Sequence, residues 1–121
     1  MMTMNKYFFD SYAILEMLKS SENYSIFSEC EFIITKLNLF EVFFRVLQDS
    51  EEKAKFVLSN ISDKVVDFDE TVIEESCKLK LAKRKLSMAD CIGYTVAMKS
   101  GLKFLTGDKE FENMPNVEFV K

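Results

Sequence analysis

The sequence predicts an α/β sandwich in which a mostly parallel sheet of about four to five strands is covered by helices on both faces. Short apolar runs typical of buried strands alternate along the chain with longer segments whose apolar residues recur at helical spacing. Only three glycines and one proline occur, which disfavours the many turns of an all-β fold. Because 121 residues with 48% hydrophobic content suit one ordinary core, we expect a single domain over residues 1–121.

Local apolar runs and capping residues define the individual elements. Asp10 and Asp69 each precede a helical segment as preferred caps, and Gly101 ends the helix that begins at Ser87. In chain order, we predict a strand at 6–9, helices at 12–19 and 26–30, a strand at 31–35, helices at 38–47 and 50–58, a strand at 64–68, a helix after Asp69, a helix from Ser87, and strands at 103–106 and 117–120.

Helical spacing also predicts which side chains share a face. The helix at 38–47 has a broad apolar face that we expect to be buried, and in the helix after Asp69 three residues recur at intervals of four. The first set consists of Leu39, Phe40, Phe43, Val46 and Leu47, and the second consists of Ile73, Cys77 and Leu81. With twelve phenylalanines in the chain, the predicted core is bulky.

The chain is acidic overall, with a formal net charge of -4 and a pI of about 4.9. A protein of this charge does not attract nucleic acid as a whole, so any such contact must be local or metal-mediated. Cys30, Cys77 and Cys91 are odd in number, widely spaced and in apolar contexts, which fits reduced core thiols better than disulfides or a zinc site. The stretch MMTMNKYFFD has a short apolar run only, so we expect no signal peptide or membrane span and a cytoplasmic location.

Histidine is absent, and this excludes several classes of active site. A Ser-His-Asp triad, a Cys-His pair, a histidine acid/base nuclease and a histidine-ligated metal all require it. Carboxylate chemistry remains for hydrolysis, most naturally together with a hard cation that prefers oxygen ligands.

Four acidic residues from distant parts of the chain are expected to meet at one edge of the sheet. Asp10 follows the first strand and Asp108 the fourth, at the carboxyl ends where ligands gather in such folds. Glu41 and Asp90 lie in the first turns of two predicted helices that can open on the same edge. Converging carboxylates repel one another unless a cation or a proton neutralises them. Two metal ions about 3.5 to 4 Å apart, which clamp a phosphodiester and activate a water, are the usual reason to assemble them.

Each acid also has a simpler structural interpretation. Asp10 and Asp108 can be helix caps. The N-x-x-E and S-x-x-D patterns that end at Glu41 and Asp90 both resemble capping boxes, and for Asp90 alone the box is the more natural interpretation. Glu41 fits a box less well because its neighbours are apolar, but a salt bridge to Arg45 one turn later also accounts for it.

Three stretches and their order resemble the PIN-domain family of metal-dependent ribonucleases, and most nearly the small VapC-like toxins. They are FFDSYAIL from position 8, NLFEVFF from position 38 and MADCIGYTVAMKSGLKFLTGDKEF from position 88. The resemblance spans nearly the whole chain. It implies a PIN-like three-layer α/β/α sandwich with a central parallel sheet and an acidic pocket that binds Mg²⁺ or Mn²⁺.

The resemblance also implies roles for individual residues. The acidic quartet that binds metal and serves catalysis is Asp10, Glu41, Asp90 and Asp108. Residues that support these acids by hydrogen bonding are Thr106, which matches the family's hydroxyl residue, together with Ser11 and Asn38. The residues themselves offer candidate RNA contacts, although a basic cluster is more often a solvated helix end. These candidates are Arg45, Lys83, Arg84 and Lys85, with Lys99 and Lys109 beside them.

The leading hypothesis is a divalent-metal-dependent endoribonuclease that hydrolyses RNA phosphodiester bonds and is the toxin of a toxin–antitoxin pair. The resemblance to this family implies an RNA substrate, a cognate antitoxin protein and a homodimer. Two alternatives remain open at the level of the sequence. One is a stand-alone PIN domain in RNA processing, and the other is a non-catalytic module on the same fold, whose acids only cap helices and whose apolar face binds a protein.

Overall fold

The computed structural model describes residues 5–121. The N-terminal stretch in which we expect no signal peptide therefore lies partly, at positions 1–4, outside the described residues. The strands are β1 (Lys6–Phe9), β2 (Glu31–Ile33), β3 (Lys103–Thr106) and β4 (Val117–Phe119). The α-helices are α1 (Ser11–Leu18), α2 (Lys36–Leu47), α3 (Glu51–Ile61), α4 (Glu70–Ala82) and α5 (Met88–Lys99). Short 3-10 helices cover Glu22–Phe27, Ser62–Lys64 and Lys109–Phe111.

The four strands form a sheet in the order β2-β1-β3-β4, and every neighbouring pair is parallel. The chain passes from β1 to β2 on one side and later returns to place β3 on the other side of β1, where Phe8 pairs with Phe104. The direction of winding therefore reverses between β1 and β3. In open parallel sheets, the crevice outside the carboxyl ends of two such strands is the usual place for a ligand.

Alternate residues of the two central strands pack into two different cores. Phe8 and Phe104 stack with their ring centroids 5.5 Å apart and belong to the core beneath α4 and α5. Phe9 and Leu105 point the other way, into the core formed with α1, α2 and α3. Helices thus cover both faces of the sheet, which confirms the predicted three-layer α/β/α sandwich.

The predicted strand at 64–68 is wrong. Val65 forms only an isolated parallel bridge with Ile34. A 3-10 helix ends at Lys64 and Asp69 caps α4, and the residues between them pair with the sheet at no other position, although Val66 and Phe68 pack against the core. The short helix expected at 26–30 is also displaced, since the 3-10 helix there covers Glu22–Phe27.

The predicted buried face of α2 is wrong in part. The helix begins at Lys36 with Thr35 as its cap, and Val42 is its fully buried apolar residue. Phe40 is 72% exposed, and Leu47 is 40% exposed. The intervals of four in α4 likewise mark an outer face, since Ile73, Cys77 and Leu81 are all exposed, whereas Val72 and Ser76 are buried. Apolar residues that surround a helix cannot by spacing alone indicate which side meets the core.

The three cysteines are free thiols, as expected. The expected core position is wrong for Cys77, which is exposed, whereas Cys30 is partly buried and Cys91 is fully buried. Among residues 5–121, no helix is both long and apolar enough to cross a bilayer.

Gly107, in the turn after β3, has no room for a side chain. A Cβ atom there would lie 2.3 Å from Cε1 of Tyr12 and 2.4 Å from the carbonyl oxygen of Val120. We expect Gly107→Ala to lower the free energy of unfolding by about 3 kcal/mol, because the backbone must move to relieve the overlap. Urea denaturation monitored by circular dichroism measures this change.

Gly101→Ala is the matched control. Gly101 has a φ of +69° but nothing within 4 Å of an added Cβ, so its substitution costs only the left-handed strain of about 1 kcal/mol. A Gly107→Ala protein as stable as the Gly101→Ala protein would contradict the close approach of Tyr12 and Val120.

Candidate metal centre

Asp10 lies at the carboxyl end of β1, where the central strand turns into α1. Its backbone N-H donates to the carbonyl of Leu105 at 3.0 Å, which ties it to the neighbouring strand β3. Its side chain caps α1 by accepting from the backbone N-H of Ser11 at 2.9 Å. Only 4% of Asp10 is exposed, so this carboxyl group is almost completely removed from solvent.

Thr106 connects Asp10 to Asp108 at the end of β3. The Thr106 hydroxyl donates to Oδ2 of Asp10 at 2.7 Å and accepts from the backbone N-H of Asp108 at 3.0 Å. Asp108 then caps the following 3-10 helix by accepting from the N-H of Glu110 at 3.0 Å. One buried hydroxyl therefore fixes the relative positions of two acids on adjacent strands.

Asp90 is brought to the same place by α5. It is the third residue of that helix and forms the predicted capping box with Ser87, whose backbone N-H donates to Oδ2 of Asp90 at 2.9 Å. The helix lies close to the sheet because Gly93 has no side chain; a Cβ there would be 3.0 Å from the Phe8 ring. This close packing sets the N-terminal turn of α5 beside the strand ends.

The three aspartates form one cluster. Asp10, Asp90 and Asp108 each offer a carboxylate oxygen, and these oxygens lie within 4.8 Å of one another. In the part of the chain that the structure describes, no lysine or arginine nitrogen lies within 4.0 Å of any of them. The cluster is therefore acidic without a protein cation in direct contact.

Burial and mutual repulsion make these carboxylates hard to ionise. Burial raises the pKa of Asp10 to about 7, against the hydrogen bond from Thr106, and the negative charges of Asp90 and Glu41 add to the increase. Burial also raises the pKa of Asp90, against its hydrogen bonds with Ser87, and the charge of Asp108 adds to it. A bound cation would remove both penalties.

Glu41 reaches the same cleft but is held by a different network. Its Oε1 accepts from the hydroxyl of Ser11 at 2.7 Å. The Ser11 hydroxyl oxygen in turn accepts from the side-chain amide of Asn38 at 3.1 Å. The expected capping box between Asn38 and Glu41 is wrong, because α2 begins earlier and Asn38 instead closes a box with Thr35. Glu41 thus lies in the second turn of the helix, and no ion pair with Arg45 forms among the described residues.

The acids line an open cleft of about 570 Å³ between α1, α2 and α5. Of the basic residues singled out in the sequence, Arg45 lies on its wall. Lys83, Arg84 and Lys85 line a separate small cavity with Leu86 and Glu110. Of the two others, Lys99 pairs with Glu75 at 3.4 Å and Lys109 is exposed.

Sequence reasoning missed several residues of the cleft wall. Tyr12 and Glu16 on α1 lie there with Lys19, which ends that helix, and Phe40 and Phe44 lie there on α2. Their spacing gave a signal for α1, because residues 12, 16 and 19 follow the capping Asp10 on one helix face. No comparable signal existed for the two phenylalanines, which look like core residues in a sequence.

The geometry fits a divalent cation. Capping uses Oδ2 of Asp90 and Oδ1 of Asp108, so the other oxygen of each is free of the hydrogen bonds described above. Asp10 accepts one hydrogen bond on each oxygen and retains further lone pairs. Several carboxylate oxygens without histidine or thiolate are the ligands that Mg²⁺ and Mn²⁺ prefer.

Comparison with known proteins gives a family and a set of similar folds. A family model described as "PIN domain" matches residues 7–117. No curated protein matches the sequence.

Several solved structures have a similar fold. A toxin–antitoxin complex from Klebsiella pneumoniae gives a TM-score of 0.74 at 20% identity over 93% of this chain and 95% of that chain. VapBC2 from Rickettsia felis, bound to a DNA fragment from its promoter, gives 0.71 at 14% identity over 96% and 99%. PAE2754 from Pyrobaculum aerophilum gives 0.69 at 20% identity over 97% and 92%. At these identities, the similarity concerns the fold.

The raised pKa of Asp10 predicts the pH dependence of stability without metal. Its folded-state pKa of about 7 exceeds the ordinary value of 3.8, so folding favours the protonated form. This contribution is fully present below about pH 4 and is lost as the pH rises through about 7. Since each pKa unit corresponds to about 1.4 kcal/mol, the free energy of unfolding in EDTA should fall by a few kcal/mol over that range.

Asp10→Asn should remove most of this decline, whereas Asp67→Asn, at an exposed position outside the cleft, should keep it. Urea denaturation at several pH values between about 5 and 8 measures both slopes. A wild-type protein whose stability is constant or increases over this range would contradict the assigned environment of Asp10.

Proposed function

Since the chain belongs to the PIN domain family, we propose that it is a divalent-metal-dependent endoribonuclease that hydrolyses RNA phosphodiester bonds and acts as the toxin of a toxin–antitoxin pair. The observation that carries this proposal is the cluster of Asp10, Asp90 and Asp108, whose oxygens lie within 4.8 Å of one another at the reversal point of the sheet. No basic side chain among the described residues neutralises the cluster directly. A bound metal ion best explains why three negatively charged carboxylates lie so close together.

The positions of the four acids suggest different roles in metal binding. Asp10, Asp90 and Asp108 would hold Mg²⁺ or Mn²⁺. Asp90 and Asp108 would use the oxygen that capping leaves available, and Asp10 would use the remaining lone pairs of its hydrogen-bonded oxygens. Glu41 lines the same cleft. The hydrogen bond from Ser11 to its Oε1 orients the carboxylate and so fixes the direction of the second oxygen as well. When bound, a divalent ion of this kind polarises a phosphoryl oxygen and lowers the pKa of water.

Neighbouring polar residues keep the acids in place. Thr106 fixes the rotamer of Asp10 through Oδ2, and Asn38 fixes Ser11, which fixes Glu41. Because these contacts join residues about 30 to 100 positions apart in sequence, the catalytic arrangement forms only when the sheet and helices are assembled. Supporting hydrogen bonds of this type tune metal affinity and activity by about 10- to 100-fold.

The toxin role is supported by the comparisons. Two of the similar solved structures are a toxin–antitoxin complex and a VapBC pair. By analogy with those two structures, an antitoxin protein would bind this chain. That the antitoxin restrains its activity and that the chain forms a homodimer are further parts of the proposal, which rest on the family alone.

A non-catalytic binding module is the second candidate, and one observation favours it. Asp10 and Asp108 each cap a helix and Asp90 closes the capping box of α5, so a structural reason exists for all three without any metal. The two candidates differ in what a divalent ion does to the folded protein.

The rate of RNA cleavage should differ between the wild type and variants of the aspartate cluster. We expect Mg²⁺- or Mn²⁺-dependent cleavage by the purified protein, and a loss of about 100-fold or more in Asp10→Asn, Asp90→Asn and Asp108→Asn, because each removes a negatively charged metal ligand. Gel analysis of a labelled RNA measures the rates. Asp67→Asn is the control and should cleave as the wild type does; equal cleavage by all variants would refute the assigned site.

Mn²⁺ binding can be measured without any substrate. A ligand at about 100 times its Kd stabilises the native state by about 2.7 kcal/mol, which for a chain of this size corresponds to an increase in Tm of roughly 5 °C or more. We expect this increase for the wild type and for Asp67→Asn but not for Asp90→Asn. An unchanged wild-type Tm at millimolar Mn²⁺ would favour the binding module.

A further inference from the structure

Two phenylalanines of α2 lie exposed on the wall of the acidic cleft. Phe40 is 72% exposed and Phe44 is 53% exposed, and both line the cleft that contains Asp10, Asp90 and Asp108. They are four positions apart, so their side chains project from one face of α2 on successive turns, with Cβ atoms about 6 Å apart. Glu41 follows Phe40 directly in sequence, so α2 carries both the aromatic pair and one of the four acids.

The cleft has little positive charge with which to bind RNA. Lys19 and Arg45 are the basic residues on its wall, while the cluster at 83–85 lines a separate cavity. The chain as a whole carries a formal net charge of -4. Attraction of phosphates by protein cations, which dominates most nucleic-acid binding, is therefore weak here, and affinity must come largely from another interaction.

We propose that Phe40 and Phe44 form a stacking surface for two unpaired bases, so that the substrate is bound as a single strand, with Arg45 and Lys19 on its phosphates. This inference rests on the proposed nuclease function. Any base can stack on a phenyl ring, and each such contact contributes roughly 5- to 100-fold to affinity in single-strand-binding proteins. A base inside a duplex already stacks on its neighbours and cannot offer its face to either ring.

The composition of the cleft favours RNA over a protein segment at these two rings. A protein segment has a more suitable site in the neighbouring groove of about 770 Å³, which is lined by Leu15, Leu18, Val46 and Phe56 together with charges of both signs. Phe40 and Phe44 instead share their wall with the carboxylate cluster, which the neighbouring groove lacks, whereas Arg45 lines both sites. Aromatic rings beside a metal-binding acidic cluster suit a ligand with both bases and phosphates.

Binding measurements in the Asp90→Asn background, which prevents cleavage, test the proposal. Fluorescence anisotropy in Mg²⁺ would compare a labelled 12-nucleotide single strand with a hairpin of the same composition. We expect Phe40→Ala and Phe44→Ala each to raise the Kd for the single strand about 10-fold, and tryptophan at either position to restore it. The hairpin should bind more weakly than the single strand to the Asp90→Asn protein, which is the parent of these variants. Phe40→Ala and Phe44→Ala should change the Kd of the hairpin little.

Phe56→Ala is the matched control, because Phe56 is 70% exposed on α3 but does not line the acidic cleft. Its Kd should equal that of the parent. With only Lys19 and Arg45 on phosphates, the slope of log Kd against log salt should be about 1.4. A steep slope would overturn the proposal, because phosphate contacts would then supply the affinity. A double variant Phe40→Ala/Phe44→Ala that binds the single strand as Phe56→Ala does would also overturn it and would leave the rings to a protein partner.

The two levels of the proposal fail separately. If the wild type cleaves RNA and the phenylalanine variants keep its kcat/KM for single strands, the stacking surface is wrong and the nuclease stands. If the phenylalanine variants lose single-strand binding but the wild type cleaves nothing, the stacking surface is supported and the nuclease is wrong.

Discussion

The repulsion among three aspartates at the ends of β1, β3 and the first turn of α5 is the constraint on which the rest of the site depends. The folded backbone holds their oxygens within 4.8 Å of one another although the most central one, Asp10, is only 4% exposed. Sheet pairing, the Thr106 hydroxyl and the close packing of Gly93 on Phe8 all maintain this arrangement. The unfavourable charge interactions are thus built into the native state and are relieved by protonation of Asp10 or by a cation. Stability that is sacrificed locally in this way is typical of functional sites.

Capping and metal binding are compatible uses of the same aspartates. A cap needs one carboxylate oxygen that accepts a backbone N-H, and a metal ligand needs one oxygen with a free lone pair. Asp90 uses Oδ2 for Ser87, and Asp108 uses Oδ1 for Glu110, which leaves one oxygen of each for the cleft. The cap even helps ligation, because it fixes the rotamer of the carboxylate before an ion arrives and so lowers the entropic cost of binding. A choice between a structural and a functional role for Asp90, as the sequence presents it, is therefore unnecessary.

Local patterns in the sequence were sufficient for the features that depend on short-range interactions. The strands that end at Phe9 and Thr106, the cap at Asp69 and the box at Asp90 were all predictable, because each depends on residues within about four positions. The partner of Glu41 was not predictable in this way: Ser11 is 30 positions away, and the box that was expected at Asn38 belongs to Thr35. Exposure of Phe40 and Phe44 also depends on which side of α2 meets the sheet, and tertiary packing alone decides that. The residues most specific to this cleft are consequently those that sequence spacing describes least well.

Under the proposed function, the same repulsion couples the binding of metal to the binding of RNA. Four acids on the cleft wall repel a phosphate group until cations occupy the cluster, and the two basic residues on that wall, Lys19 and Arg45, are too few to compensate. Base stacking on Phe40 and Phe44 needs no charge, so it can hold a single strand near the acids before cations neutralise the cluster. Deprotonation of Asp10, which burial holds back to about pH 7, then controls how well the cluster binds a cation, because a ligand carboxylate must give up its proton first. Charge at the acids and apolar contact at the rings therefore govern two separable parts of substrate binding, the first sensitive to pH and the second insensitive to it.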